Sequence, residues 1–166
     1  MRYTLMRKMD ISNGKGIGVS LFVQGCRAHC KNCFNPETWN FTGGNEWAEE
    51  SKNTFFELVS KPYITRVSIL GGEPFEPESI DEVISILKEI KDRFPEKQVW
   101  VYTGYKFEQV LSGNMKDALP YIDVLVDGRY VDELSDISLA YKGSSNQRII
   151  DIPKSLASNE VVLYNI

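Results

Sequence analysis

Three cysteines lie within eight consecutive positions of the sequence. Cys26, Cys30 and Cys33 are the only cysteines in 166 residues, and their spacing is Cys-x3-Cys-x2-Cys. Clustered thiolates are typical metal ligands, and an odd number fits a metal site better than a disulfide framework. A 4Fe-4S cluster normally takes four thiolates. We therefore interpret the three cysteines as ligands to three irons of such a cluster, with the fourth iron open to a small ligand.

A zinc site or a purely structural role is the alternative interpretation of these cysteines. Zinc requires four ligands in a tight tetrahedron. His29 is the only histidine in the sequence, and it is adjacent to Cys30. Neighbouring residues cannot easily both turn into one tetrahedral site, so we expect His29 to be a solvated loop residue. The iron–sulfur interpretation is favoured.

Composition and charge describe an ordinary water-soluble chain. With 42% hydrophobic and 25% charged residues, residues 1–166 are expected to form one domain. The formal net charge of −4 disfavours a nucleic-acid partner. No apolar run approaches the ~20 residues that span a bilayer, and the N-terminus lacks a signal-peptide core. We therefore expect no membrane association and a cytoplasmic location, where thiols stay reduced.

Strands and helices alternate along the chain, which indicates an α/β fold with a mainly parallel sheet. An alternating strand ends at Val23, directly before the cysteines, and the Gly-rich turn before it is expected to be an N-terminal turn rather than a phosphate loop. Further strands are expected at 65–70, 97–103, 122–127, 147–152 and 160–164. Helices are expected within 46–61, 79–94 and 106–112, with a weaker one near residue 116. Ser79 and Glu82 form a capping-box pattern at the start of the second helix.

Candidate site residues follow several of these strands directly. The cysteine loop, Gly71-Gly72-Glu73, Thr103-Gly104 and Asp127-Gly128 each occupy such a position. In parallel α/β sheets, function gathers at the carboxyl ends of the strands. A complete eightfold barrel takes ~250 residues. The sequence therefore predicts a partial, open-sided β/α barrel of about five parallel strands.

The cysteine spacing after a strand resembles the signature of radical S-adenosylmethionine (radical SAM) enzymes. In that family the methionyl amine and carboxylate of S-adenosylmethionine chelate the open iron, and a family Gly-Gly-Glu motif binds the methionyl ammonium. Gly71, Gly72 and Glu73 match this motif, although alone they could be a tight turn with a solvated acid. Glycines permit close backbone approach, and a carboxylate makes a strong hydrogen bond to a cation.

The same resemblance implies further contacts to S-adenosylmethionine. Many family members have an aromatic residue just before the third cysteine, but this chain has Asn32. We therefore expect backbone contacts from Asn32, Cys33 and Phe34 rather than a side-chain contact from residue 32. By analogy, Thr103 is expected near the ribose and the methionine carboxylate. Asp127 and Asn146 are weaker candidates for such contacts.

Several longer segments resemble one subfamily. These are Phe34–Trp39, Val99–Tyr105, Asp123–Tyr130 and Gly143–Ile150. They are similar to segments of the activating enzymes of anaerobic (class III) ribonucleoside-triphosphate reductase. The resemblance implies an oxidoreductase that cleaves S-adenosylmethionine at one 4Fe-4S cluster and generates a glycyl radical on that reductase. A flavodoxin or ferredoxin type of protein is the expected electron donor.

Other functions remain open from the sequence. The chain could activate another glycyl-radical enzyme, such as pyruvate formate-lyase, or act on a small molecule as the similarly short carboxy-deazaguanine synthases do. Outside this class, it could be a non-catalytic iron–sulfur electron-transfer module. Such a module needs neither an open iron nor the Gly-Gly-Glu motif, so those features count against it.

Overall fold

A mixed sheet of seven strands forms the centre of the protein. The computed structural model describes all residues from 1 to 166. The strands are β1 (Arg2–Asp10), β2 (Gly18–Val23), β3 (Asn45–Glu46), β4 (Arg66–Gly71), β5 (Gln98–Tyr102), β6 (Val124–Asp127) and β7 (Arg148–Asp151). Their order across the sheet is β3-β1-β2-β4-β5-β6-β7. The four central strands β2, β4, β5 and β6 are parallel, and β1, β3 and β7 are antiparallel to their neighbours.

The central strands are parallel because helices connect them and cover the sheet. The helices are α1 (Glu49–Val59), α2 (Ile80–Arg93), α3 (Phe107–Ser112) and α4 (Ile152–Ser158). Three 3-10 helices lie at Pro36–Thr38, Asn114–Tyr121 and Asp132–Leu134. Strands buried on both faces carry nearly continuous apolar runs. All six residues of β2 and all four of β6 are buried accordingly.

The main core lies between the sheet and these helices. It consists of 25 buried hydrophobic residues, and α2 contributes one apolar stripe to it. The stripe is Ile80, Val83, Ile86, Leu87 and Ile90. None of the helices combines the length and the apolar character needed to cross a membrane. The four helices expected from the sequence, including the weaker one near residue 116, are present, with the last of them as a 3-10 helix.

The sheet differs from the sequence-based expectation in its edge strands. Four strands are parallel rather than about five, because the segment expected as the fifth, β7, runs antiparallel to β6. A parallel connection needs a crossover, usually through a helix. Residues 128–147 contain only one short 3-10 helix, and they return the chain to the same end of the sheet, where Asp127 pairs with Arg148. The expected sixth strand forms only one bridge, between Ile150 and Leu163. The elements β1, β3 and α4 were not expected.

The capping box expected at the start of α2 is not formed. The Ser79 side chain makes no capping hydrogen bond, because the backbone of this buried residue is not extended (φ −121°, ψ −25°). The carboxylate of Glu82 instead accepts a hydrogen bond from Trp47 Nε1 at 3.0 Å. Glu82 therefore ties α2 to the segment before α1 rather than closing its own helix.

The Gly-rich segment between β1 and β2 is a turn, as expected, and a buried arginine anchors it. The Arg66 side chain is fully buried. Its guanidinium donates to the carbonyl oxygens of Asp10 at 2.7 Å and Gly16 at 3.1 Å. The positive charge of Arg66 is thereby bound by carbonyl oxygens of the turn, which holds the turn in place before β2. The turn leads into a strand rather than a helix, unlike a phosphate loop.

Candidate functional site

The cysteine loop begins where β2 ends. Gly25 has φ +110°, a conformation that glycine adopts readily. Backbone hydrogen bonds then fold the loop back, from Gly25 N to Thr38 O at 2.6 Å and from Cys26 N to Trp39 O at 3.2 Å. The backbone at Thr38 and Trp39, after the third cysteine, is therefore hydrogen-bonded to the backbone at Gly25 and Cys26, where the loop begins. This pairing holds all three thiols on one loop.

All three cysteines are unpaired and partly buried. Burial raises the pKa of the Cys26 and Cys30 thiols. The backbone N–H of Asn35 donates to Cys33 Sγ at 3.4 Å. No three His, Cys, Asp or Glu side chains converge closely enough to bind a single metal ion. A 4Fe-4S cluster does not require such convergence, because each thiolate binds a different iron.

One cavity of about 330 Å³ adjoins all three cysteines. It lies at the carboxyl ends of the parallel strands, and residues that follow β2, β4, β5 and β6 line it. Among its lining residues are Cys26, Cys30, Cys33, Phe34, Gly71, Gly72, Glu73, Thr103, Gly104 and Arg129. The structure therefore brings together most of the residues that the sequence singled out, although they are up to about 80 positions apart in the chain.

Gly71 and Gly72 allow the chain after β4 to lie against the strand that leads to the cysteines. Gly71 has φ +115°, and a Cβ atom there would lie 2.7 Å from the Val23 backbone nitrogen. A Cβ atom on Gly72 would lie 2.5 Å from the Gly25 carbonyl oxygen. The backbone N–H of Glu73 donates to that same oxygen at 2.9 Å. Close backbone contact therefore fixes Glu73 relative to Gly25, the residue before the first cysteine.

The Glu73 carboxylate is buried and held by three donors. It accepts hydrogen bonds from Phe75 N at 2.9 Å, Thr103 Oγ1 at 2.8 Å and Gly104 N at 2.7 Å. Burial raises the pKa of Glu73 from 4.5 to about 7. A carboxylate has about four acceptor positions, so one remains for a further donor. A cationic donor from the cavity would meet this need and favour the ionised form.

Thr103 serves Glu73 in this structure. Its hydroxyl donates to Glu73 and accepts from the Tyr105 backbone N–H at 3.1 Å. Because a hydroxyl has only one hydrogen to donate, Thr103 can offer a ligand only its remaining acceptor position. It therefore orients the carboxylate first, while still lining the cavity.

The remaining residues predicted from the sequence have different surroundings. Asn32 has φ +56°, and its side-chain amide donates a hydrogen bond to Asp132 outside the cavity. The exposed Phe34 ring, in contrast, lines the cavity and packs against Tyr130. His29 is exposed and stacks on Trp39, with ring centroids 4.4 Å apart. His29 thus lies on the loop surface, as expected.

Asp127 and Asn146 make structural contacts. Asp127 is buried, accepts from the Phe107 backbone N–H at 2.8 Å, and pairs with Arg148. Asn146 is exposed and donates to the Arg129 carbonyl at 2.8 Å. Neither residue lines the cavity.

Sequence reasoning missed several cavity residues. Arg129 and Tyr130 directly follow β6 and Asp127-Gly128, so the strand-end rule could have identified them. Tyr141 lies in residues 139–142, a segment without a recognisable motif that lines one side of the cavity. Its carbonyl oxygen accepts from the Tyr102 hydroxyl at 2.6 Å. No sequence signal indicates that this distant segment reaches the cavity.

These residues fit a cluster held by three thiolates together with a small cationic ligand. The three unpaired thiols adjoin one cavity, and a buried carboxylate with a spare acceptor position lies on its wall. Residues 12–150 match the family described as a 4Fe-4S single cluster domain. Fold, site and this match together define a radical SAM type of iron–sulfur protein with one cluster.

Individual relatives define the family more narrowly. The anaerobic ribonucleoside-triphosphate reductase-activating protein of Vibrio cholerae is 35% identical over 90% of this chain and 97% of its own. The corresponding protein of Enterobacteria phage T4 is 38% identical over 90% of this chain and 93% of its own. That of Escherichia coli K12 is 34% identical over 89% of this chain and 96% of its own. The chain belongs to the family of anaerobic ribonucleoside-triphosphate reductase-activating proteins.

Proposed function

We propose that this protein reductively cleaves S-adenosylmethionine at a single 4Fe-4S cluster and thereby generates a glycyl radical on an anaerobic ribonucleoside-triphosphate reductase. The observation that carries the proposal is one cavity that joins three unpaired cysteines to the buried carboxylate of Glu73. The named activity of its full-length relatives supports the choice of partner.

Cys26, Cys30 and Cys33 would hold three irons through their thiolates. When bound, the cluster would supply the one electron needed for reductive cleavage of S-adenosylmethionine to methionine and a 5′-deoxyadenosyl group able to take a hydrogen atom from glycine. With only three cysteines in the chain, no second cluster with cysteine ligands can form.

Glu73 would bind the methionyl ammonium through its spare acceptor position. Phe75, Thr103 and Gly104 hold the carboxylate in place before the ligand arrives, so little reorganisation is needed on binding. Gly71 and Gly72 keep the backbone close to the cysteine loop. The backbone from Asn32 to Phe34 would contact the adenosyl part, with the Phe34 ring on the cavity wall.

The sheet would form an open-sided partial β/α barrel, as a single domain over residues 1–166. An open side suits a macromolecular substrate, because a peptide loop of another protein can enter there. The electron would come from a flavodoxin or ferredoxin type of protein in a reducing, cytoplasmic environment.

Electron paramagnetic resonance tests the partner directly. The cluster-loaded protein, with S-adenosylmethionine and dithionite, is incubated with an anaerobic ribonucleoside-triphosphate reductase, and a glycyl-radical signal is expected. A reductase whose radical glycine is replaced by alanine is the control. A glycyl-radical signal on pyruvate formate-lyase but none on the reductase would mean that the partner is a glycyl-radical enzyme of the pyruvate formate-lyase type. Cluster binding without cleavage of S-adenosylmethionine would instead support an electron-transfer module.

A further inference from the structure

Arg27 connects the cysteine loop to the chain that follows Glu73. It comes directly after Cys26, and its guanidinium donates to Glu76 Oε2 at 2.8 Å and to Glu78 Oε2 at 2.9 Å. The guanidinium also lies over the Phe41 ring, with Cζ 4.4 Å from the ring centroid. Phe41 in turn lies against Gly25, where an added Cβ atom would be 2.5 Å from the ring. Arg27 therefore contacts both of the loops that meet at the cavity without lining it.

Glu76 is the unusual member of this cluster. Its side chain is only 4% exposed, whereas that of Glu78 is 45% exposed. Arg27 is the only cation paired with Glu76. A buried carboxylate without a partner is costly, so this ion pair matters more than one exposed at both ends, although the Arg27 side chain is itself 57% exposed and partly screened by water. Glu76 lies near both functional groups, since its partner Arg27 directly follows Cys26 and its own backbone N–H donates to the Glu73 carbonyl at 3.2 Å.

We propose that Arg27 is a positioning residue that fixes the cysteine loop relative to Glu73 and neutralises the charge of Glu76 at the base of that loop. This inference rests on the proposed function. The positioning follows from geometry, because Glu76 lies three residues after Glu73 and its backbone N–H donates to the Glu73 carbonyl at 3.2 Å. The fork of hydrogen bonds from one guanidinium to two carboxylates holds the two loops in one arrangement.

Because Arg27 neutralises the charge of Glu76, replacing one or the other residue should shift the cluster's reduction potential in opposite directions. Reduction adds a negative charge, so an unneutralised Glu76 carboxylate opposes it. Arg27→Gln removes the cation and is expected to lower the potential. Glu76→Gln removes the anion and is expected to raise it. The double variant should lie between the two single variants.

The positioning part predicts an effect on ligand affinity. Arg27→Gln should weaken binding of S-adenosylmethionine to the cluster-loaded protein about tenfold, the lower end of what loss of a supporting residue costs a metal site. Arg27→Lys should keep the potential near that of the wild type, because the charge remains. It should recover only part of the affinity, because an ammonium cannot make the same fork.

The experiment compares the reconstituted wild type with these variants by potentiometric titration at pH 8.5 and by equilibrium binding of S-adenosylmethionine. Arg93→Gln is the matched control, since it breaks the surface pair with Glu89 and changes the net charge equally. Should Arg27→Gln lose the cluster through misfolding, Arg27→Lys and the nearly isosteric Glu76→Gln carry the test. Shifts of the potential in the same direction for Arg27→Gln and Glu76→Gln, or shifts no larger than the control's, would overturn the inference.

The role of Arg27 and the proposed function can be tested separately in the same preparations. A wild type that cleaves S-adenosylmethionine, combined with variants of unchanged potential and affinity, would refute the role of Arg27 and leave the proposed function intact. A wild type that binds no cluster would refute both.

Discussion

The Glu73 carboxylate is a buried acid that already holds three hydrogen-bond donors. Its remaining acceptor position and its place on the cavity wall favour a cationic ligand. The sequence correctly predicted that Glu73 follows a strand. The same Gly-Gly-Glu sequence, however, is equally compatible with a surface turn that carries a solvated acid. The hydrogen bonds from Thr103 and Gly104, about thirty residues away, could not be read from local sequence.

Replacing Glu73 by glutamine should weaken ligand binding while leaving the cluster in place. A hydrogen bond to a charged group contributes about 1.5–3 kcal/mol, which corresponds to roughly 10- to 100-fold in affinity for S-adenosylmethionine. Iron content should stay at the wild-type level. Equilibrium binding to the reconstituted variant measures the affinity, and an unchanged value would remove Glu73 from the binding site.

Glu73 should also make the stability of the ligand-free protein depend on pH. Its pKa is about 7 in the folded protein and about 4.5 when unperturbed, so the folded state binds more protons between these values. The free energy of unfolding should therefore fall as pH rises from 4.5 to 7, by up to about 3 kcal/mol from this group.

The Glu73→Gln variant is the control for this pH dependence, because the amide does not titrate. Urea unfolding at several pH values should show a shallower fall for the variant than for the wild type. Parallel curves for the two proteins would show that Glu73 does not titrate in this range.

Cys30→Ala should abolish stable cluster binding, because two thiolates cannot hold a cubane firmly. His29→Ala is the matched control, since it changes the neighbouring residue on the same exposed loop and should keep the cluster. Iron and sulfide content after anaerobic reconstitution measures both. A normal iron content in Cys30→Ala would refute the assignment of this thiol as a ligand.

At the scale of elements, the sequence predicted α1, α2, α3 and the central strands well because their apolar patterns are strong, but it did not predict the short helix α4. The sequence-based prediction was wrong where contacts between distant residues determine the local structure. Ser79 has the right spacing for a capping box, yet Glu82 bonds to Trp47. β1 is mostly half-exposed or exposed and lacks a clear buried face, so its pattern is weak. The direction of β7 depends on the return of residues 128–147, which carry no crossover helix.

Asp127 is part of the junction between β6, β7 and α3. Its carboxylate binds the Phe107 backbone N–H at the start of α3 and the guanidinium of Arg148 on β7. Asp127→Asn should lower the free energy of unfolding by about 2 kcal/mol, less than for a fully buried pair because Arg148 is partly exposed. Affinity for S-adenosylmethionine should remain close to that of the wild type.

Glu108→Gln is the control for this junction, because Glu108 is the exposed partner of the same Arg148 side chain. It should cost less than about 0.5 kcal/mol. Urea denaturation measures both variants. A loss of ligand affinity in Asp127→Asn without a loss of stability would mean that Asp127 contacts the ligand after all.

At the scale of the whole molecule, parallel strands bring the ends of distant segments to one edge of the sheet. This rule correctly anticipated that the cysteine loop, Gly71-Gly72-Glu73 and Thr103-Gly104 would meet, but Asp127-Gly128, expected at the same edge, does not line the cavity. It could not anticipate the cavity wall formed by residues 139–142, which do not directly follow a strand. It also gave no sign of the contact between Arg27 and Glu76, which joins two loops through side chains alone.

The most direct test of the central claim is the formation of 5′-deoxyadenosine. The protein is reconstituted anaerobically with iron and sulfide, reduced with dithionite and given S-adenosylmethionine, and the product is quantified by liquid chromatography. The account predicts 5′-deoxyadenosine together with methionine from the wild type, and none from Cys30→Ala. A fully assembled cluster that yields no 5′-deoxyadenosine would contradict it.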